Sequence, residues 1–288
     1  MNQLIEATLE DLVAKIENGT GDWIHDWVGG GVPRNHTTSR RYHGINILLL
    51  WAAKEASNFP TGDWATYKQW AASGHQVKRG EKSSTIFISK DALKRGGDAA
   101  NPDDHYRLLR CAFVFNAAQL VEPPATVTEP VTPIQRIERC EKLVAATGAT
   151  FEVADHPAYV PGRDVIKMPP IVGFISSEGY YATVFHELVH WTGHKTRLDR
   201  LLSYSFDARI GNSDYAFEEL VAEFGQAFLC AELGVYGVNE NAAAYLRNWL
   251  KAVKQDRGAA LMKAASLASK AHEYLVSRET KTEDAMAA

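Results

Sequence analysis

The stretch Val184-Phe185-His186-Glu187-Leu188-Val189-His190 decides how the second half of this 288-residue chain is read. Two histidines four residues apart stack on one face of a helix that turns every 3.6 residues, so both imidazoles can reach one tetrahedral ion. The glutamate between them leans toward water at that ion. Zinc acidifies such water toward a pKa near ~7, and Glu187 is placed to take the proton for attack on a peptide carbonyl. His186 and His190 are therefore candidate metal ligands and Glu187 the candidate catalytic base, with Zn2+ the expected ion and Mn2+ an alternative.

A catalytic zinc needs a third protein ligand. Downstream, Glu218-Glu219-Leu220-Val221-Ala222-Glu223 offers two carboxylates, Glu219 and Glu223, four apart on a helix that begins after Ser213-Asp214. One can bind the metal while the other, one turn on, hydrogen-bonds a ligating imidazole. HExxH followed by ExxxE resembles the gluzincin metallopeptidases, and the resemblance implies Glu219 as ligand with Glu223 as the outer partner. Glu218, about 100° around the helix, reads as solvated or salt-bridged. His194 competes for the third place, because HELVHWTGH approaches the metzincin pattern HExxHxxGxxH. Gly193 fits that pattern, but Thr196 stands where its last ligand belongs. His194 then reads as a pocket residue or as a cap on the helix C-terminus. The strand over residues 164–168 reads as an edge strand, free to receive an extended peptide or simply an edge.

Outward from this helix, periodicity predicts helices over 134–147, 178–192, 214–233, 240–255 and 258–277, with strands over 150–153 and 164–168. Residues 122–133, EPPATVTEPVTP, hold four prolines and no period, and read as an extended linker. Before it, helices are expected over 3–17, 44–57 and 66–72 and strands over 83–89 and 106–120. Both halves are thus α+β: residues 1–121, a linker over 122–133, and residues 134–288.

Residues 34–90 hold nine basic side chains against three acidic ones, although the whole chain carries a net −4. Five of the seven tryptophans, Trp23, Trp27, Trp51, Trp64 and Trp70, fall in the first 70 residues, among these cations. Cations for phosphates and flat rings for bases are what single-stranded nucleic acid requires. Tryptophans in a small domain also serve as core, and the composition leaves both roles open. The polar loop strings Pro33-Arg34-Asn35 and Ser39-Arg40-Arg41-Tyr42-His43-Gly44 are free to approach a backbone. Hydrophobic residues at 45% and charged ones at 23% exclude a disordered or fibrous chain. The acidic start MNQLIEATLEDL and the lack of a ~20-residue apolar run point to a cytoplasmic protein without a membrane span. Three scattered cysteines, Cys111, Cys140 and Cys230, read as reduced, buried thiols.

The strings RRYHGINILLLW, ATYKQW and GHQVKRGEKSSTIFI resemble the single-stranded-DNA-binding N-terminal domain of the ArdC antirestriction proteins and related conjugative plasmid primases. YYATVFHELVHWTGHKTRLDR and YAFEELVAEFGQAFLCAELG resemble the zincin-like metallopeptidase domain that follows it in those proteins. The resemblance covers nearly the whole chain in the same order. It implies a plasmid-borne antirestriction protein that binds incoming single-stranded DNA without sequence preference and shields it from host restriction. Arg41, Tyr42, Lys78 and Lys82 would touch the DNA, and Gly44 and Gly80 would serve turns. The alternative is a peptidase whose N-terminal domain recruits a protein substrate and which acts by cleaving a host protein.

Overall fold

The structure, a computed structural model, describes residues 3–18, 31–93, 105–124, 133–201, 213–235, 248, 250, 251 and 256–287. The chain divides into two compact units, one of residues 1–14 and 33–126 and the other of residues 15–32 and 127–288. Of the expected linker, residues 125–132 lie outside the described residues, as do Trp23 and Trp27.

Helix α1 (Gln3–Asn18) buries Ile5, Leu9, Leu12 and Ile16, one stripe at spacings of four, three and four. The first unit is built on a sheet of β1 (Arg34–Asn35), β2 (Asp63–Ala65), β3 (Ser84–Leu93) and β4 (His105–Asn116), in the order β1-β2-β4-β3. The β1/β2 pair is parallel and the others antiparallel. Alternation along the strands sends Trp64, Ile86 and Val114 to one face, where they pack with Leu50 of α2 (Ile45–Ala56). On the other face Ala65 packs with Trp70 of α3 (Tyr67–Ala72), Val77, Ala117 and Leu120, with Phe115 against them. Trp51, Trp64 and Trp70 are fully buried, so these three belong to the core and offer no ring to a ligand.

Several residues of the basic strings do structural work. The Asn46 amide donates to the Phe87 carbonyl at 2.7 Å and accepts from the Phe87 N–H at 2.8 Å, occupying the free edge of β3 as a neighbouring strand would. Thr66 and Gln69 form a capping box at the start of α3. Gly44 and Gly80 have φ of 58° and 89°, the left-handed conformation their turns need.

In the second unit, α4 (Pro133–Thr147) leads into β5 (Thr150–Val153), β6 (Ala158–Val160) and β7 (Val165–Met168), in the order β5-β7-β6. β7 is therefore the central strand, paired parallel to β5 and antiparallel to β6, which corrects its reading as an edge. Both rows of its backbone groups are taken, so no peptide can add along it. Helix α5 (Ser177–Thr192) packs on β6 and β7, and α6 (Ser213–Leu233) packs against α5 and against α7 (Arg257–Ala287). Ala260, Ala264, Ala265, Ala268 and Ala271 are buried along α7, small side chains that permit close helix packing. A Cβ on Gly225 of α6 would stand 2.6 Å from Val189 Cγ2 on α5, so only glycine lets these two helices approach as they do. The expected helix over 240–255 lies outside the described residues except at 248, 250 and 251. The last helix reaches Ala287, ten residues past its expected end. All three cysteines are free, Cys140 and Cys230 buried and Cys111 only half so. No helix among the described residues is long and apolar enough to cross a membrane.

Candidate metal centre

Ser176 caps α5 by accepting from the Gly179 N–H at 3.1 Å, and Gly193 closes it. A Cβ on Gly193 would fall 2.6 Å from Leu201 Cγ and 3.0 Å from the His190 carbonyl, so the chain can fold back over the helix end only there. Between the caps, spacing of four brings the Nε2 atoms of His186 and His190 to 3.2 Å from each other. Glu219 of α6 completes the group, with its carboxylate oxygens 3.4 Å from His186 Nε2 and 3.6 Å from His190 Nε2. Among the described residues this is the one cluster of three His, Cys, Asp or Glu side chains whose ligand atoms gather closely enough for a metal ion. His194 is not part of it; its Nδ1 meets the Thr196 hydroxyl at 2.8 Å in the turn after α5.

The ring hydrogen bonds fix what the facing atoms are. His186 Nδ1 lies 3.2 Å from Gln226 Oε1 and His190 Nδ1 3.1 Å from Glu218 Oε1. Both partners are acceptors, so each Nδ1 carries a hydrogen and, in the neutral ring, each Nε2 presents a lone pair. Two lone pairs and a carboxylate then converge in a buried place, an arrangement that calls for a cation. A tetrahedral zinc with bonds of about 2.0–2.2 Å holds its ligand atoms about 3.3–3.6 Å apart, which is the spacing found.

The electrostatics of the metal-free site tell the same story. Burial alone would depress His186, but the hydrogen bond to Glu219 and the charges of Glu223, Glu187 and Glu219 outweigh it and push the imidazole up to about 10. Burial would likewise raise Glu219, yet His186, His190 and the Tyr215 hydroxyl hold it down to about 2. A proton shared toward His186 thus stands where a cation would. Glu187 is buried in the same setting.

The partners of the outer ring nitrogens differ from the sequence reading. Glu223 was expected to hydrogen-bond an imidazole, but its Oε1 is 3.9 Å from His186 Nδ1, too far for that bond. The two helices run antiparallel, since His190 meets Glu218 while His186 meets Gln226, and the outer ring nitrogens face Glu218, next to Glu219, and Gln226, two turns on, rather than Glu223 one turn on. Glu223, buried beside Glu219, has its pKa raised, chiefly by burial. Of the two roles read for Glu218, solvated or salt-bridged, the second is the one found, in a buried setting. Arg200 grips its carboxylate with Nε at 3.1 Å and a terminal nitrogen at 2.9 Å, and also donates to the Thr192 hydroxyl at 2.6 Å and to the Val189 carbonyl. Burial disfavours the Glu218 charge, but Arg200 and His190 outweigh it and lower its pKa. Arg200, Glu218 and His190 thus form one chain from the post-helix turn to the metal-facing nitrogen. Arg197 locks the same turn: its guanidinium lies 3.8 Å from the Trp191 ring centroid and pairs with Asp164. Tyr215, Gln226 and Arg200 were the residues missed. The spacing 215, 219, 226 marks a single face of α6, which is the signal that could have found the first two.

Glu218→Gln keeps the side chain's volume but removes the charge that Arg200 and His190 share. Metal affinity is expected to fall about 10–100-fold, measured by competition with a chromophoric chelator far below the melting temperature.

A His-Glu-x-x-His helix laid on a small sheet, with a carboxylate supplied by the next helix, defines the zincin-like class of metallopeptidase domains. Residues 138–267 match the family model for zincin-like metallopeptidases, and residues 2–117 match that for the N-terminal domain of the anti-restriction factor ArdC. Crystal structures of the antirestriction protein ArdC of plasmid R388, metal-free and Mn(II)-bound, superpose with a TM-score of 0.77 at 34% and 35% identity, covering 96% of this chain and 98% of theirs. The uncharacterized protein y4eC of Sinorhizobium fredii is 34% identical over 96% of this chain and 92% of its own. DNA primase TraC of Escherichia coli is 36% identical over 96% of this chain, but the match spans only 27% of TraC. The chain belongs to the ArdC antirestriction family.

Proposed function

We propose that this chain is an antirestriction protein that acts in the cytoplasm, binding incoming single-stranded plasmid DNA through its first unit and carrying a zinc peptidase-like site in its second. The observation that carries the reading is the match to ArdC over both units, in the same order, across 96% of the chain. The exposed Arg41, Lys78 and Lys82 would neutralise phosphates without reading bases. Tyr42 is a weaker contact, because its ring packs half-buried on the Leu50, Trp64, Ile86 and Val114 cluster.

In the second unit His186, His190 and Glu219 would hold the ion, with Glu218 and Gln226 orienting the imidazoles. A bound zinc would polarise a carbonyl and acidify water there. Glu187 would accept the proton, and burial of the site would keep bulk water away from it. The completeness of this constellation favours a second reading, in which the protein acts by cleaving a host protein.

The DNA-binding reading is tested with the purified full chain and a labelled oligonucleotide at rising salt. Three phosphate contacts give a log–log slope of about −2 for a single strand, so binding should weaken about 20-fold between 50 and 200 mM salt. Absence of binding at low salt, or binding indifferent to salt, would overturn it.

A further inference from the structure

Among the exposed large hydrophobic residues described, two are aromatic, Tyr67 at 48% and Phe113 at 49%. Both belong to the first unit, and the fold sets both beside one ring. Phe113 and Phe115 are two apart on β4 and so share a sheet face, about 7 Å from each other. The Tyr67 ring lies 6.3 Å from that of Phe115 at 70°. Phe115 is seated on the Trp70 core, and the Tyr67 hydroxyl accepts from Gln76 Nε2 at 2.9 Å. The result is a step of three rings, anchored in the middle and open at both ends.

Cations border this step. Lys68 follows Tyr67 and is exposed. On the other side, Lys78, Arg79 and Lys82 are exposed in the loop that enters β3 where Ser84 faces Val114, one pair before Thr85 faces Phe113. The same loop is tied to the end of β4, with Lys78 N–H donating to the Gln119 carbonyl at 2.9 Å and the Gln119 amide donating to the Lys82 carbonyl at 2.9 Å. Its one acid, Glu81, is engaged by the Gln119 amide at 2.9 Å. No carboxylate among the described residues pairs with Lys68, Arg79 or Lys82. An apolar protein partner would have no use for such a border, whereas a strand of unpaired bases matches rings to bases and cations to phosphates.

Resting on the DNA-binding reading, we infer that the Tyr67–Phe115–Phe113 step is the base-stacking platform for single-stranded DNA, the role that the buried tryptophans do not fill. Both outer rings are solvent-exposed, so truncating them leaves the core intact, which circular dichroism and a thermal melt verify. Anisotropy is read with the full chain on a twelve-residue oligo-dT and on an abasic strand of equal length. Tyr67→Ala and Phe113→Ala should each weaken oligo-dT binding about tenfold and the pair about a hundredfold. Neither should alter binding of the abasic strand, and Tyr67→Phe with Phe113→Tyr should restore the affinity. If wild type binds oligo-dT and the truncated proteins bind it equally well, or lose the abasic strand to the same degree, the platform is wrong while the DNA-binding reading stands. If wild type binds neither strand, both fall.

Discussion

Purified His186→Ala and Glu219→Ala proteins will carry essentially no divalent metal, whereas Glu187→Gln will carry about one equivalent, as read by elemental mass spectrometry. The first two substitutions each remove one of three acceptor atoms that meet at 3.2–3.6 Å. Glu187 lies outside that group, and its part is the proton. Full occupancy in Glu219→Ala would pass the third place to Glu218, Glu223 or His194. The same site sets a pH dependence. His186 is raised from 6.5 to about 10 when no metal is present, so its pairing with Glu219 stabilises the metal-free fold fully below about 6.5 and fades as pH rises through about 10. A metal ion must displace that proton, and affinity should therefore climb by up to about tenfold per pH unit between 6 and 8. A dissociation constant flat across that range would contradict the proton's place on His186.

The parts of this site that were legible in sequence are those set by a single helix. His186, Glu187 and His190 follow from a turn of 3.6 residues, and Glu219 from a second helix read against the gluzincin pattern. Which residues hold the outer ring nitrogens depends instead on how α5 and α6 cross. Their antiparallel approach, made possible by the bare Cα of Gly225, hands those bonds to Glu218 and Gln226 and leaves Glu223 short of one. Arg200 arrives from a turn whose path is fixed by Gly193 and Leu201, contacts that no periodicity announces. The same limit applies to the sheets. β1, β2 and β6, at two or three residues, are too short to show alternation, and whether β7 is edge or centre depends on pairing with distant segments. In the first unit the sequence marks aromatic residues without saying which face they take. Register against β3 and β4 buries Trp64 and leaves Phe113 exposed.

Glu187→Gln is expected to bind DNA as wild type does and to keep most of its protection, while Arg41→Ala with Lys78→Ala weakens both and leaves the metal in place. Shielding a strand from a nuclease requires occupancy of that strand, and on the proposed reading occupancy would come from cations and rings of the first unit. Hydrolysis would require acid-base work by Glu187 beside His186, His190 and Glu219, all of which belong to the second. Glutamine keeps the size of the buried Glu187 side chain and removes its basicity, so chemistry should fall by about 100-fold or more with little change in fold. Restriction of a transferred plasmid, scored in recipients that express each variant, separates the two activities. Protection that survives in Glu187→Gln and falls with DNA affinity in the Arg41/Lys78 variant makes the protein a shield whose peptidase-like site serves another end. A Glu187→Gln protein that binds DNA normally yet protects no better than an empty vector would transfer the mechanism to cleavage of a host protein, with the first unit bringing the enzyme to the strand where that protein acts.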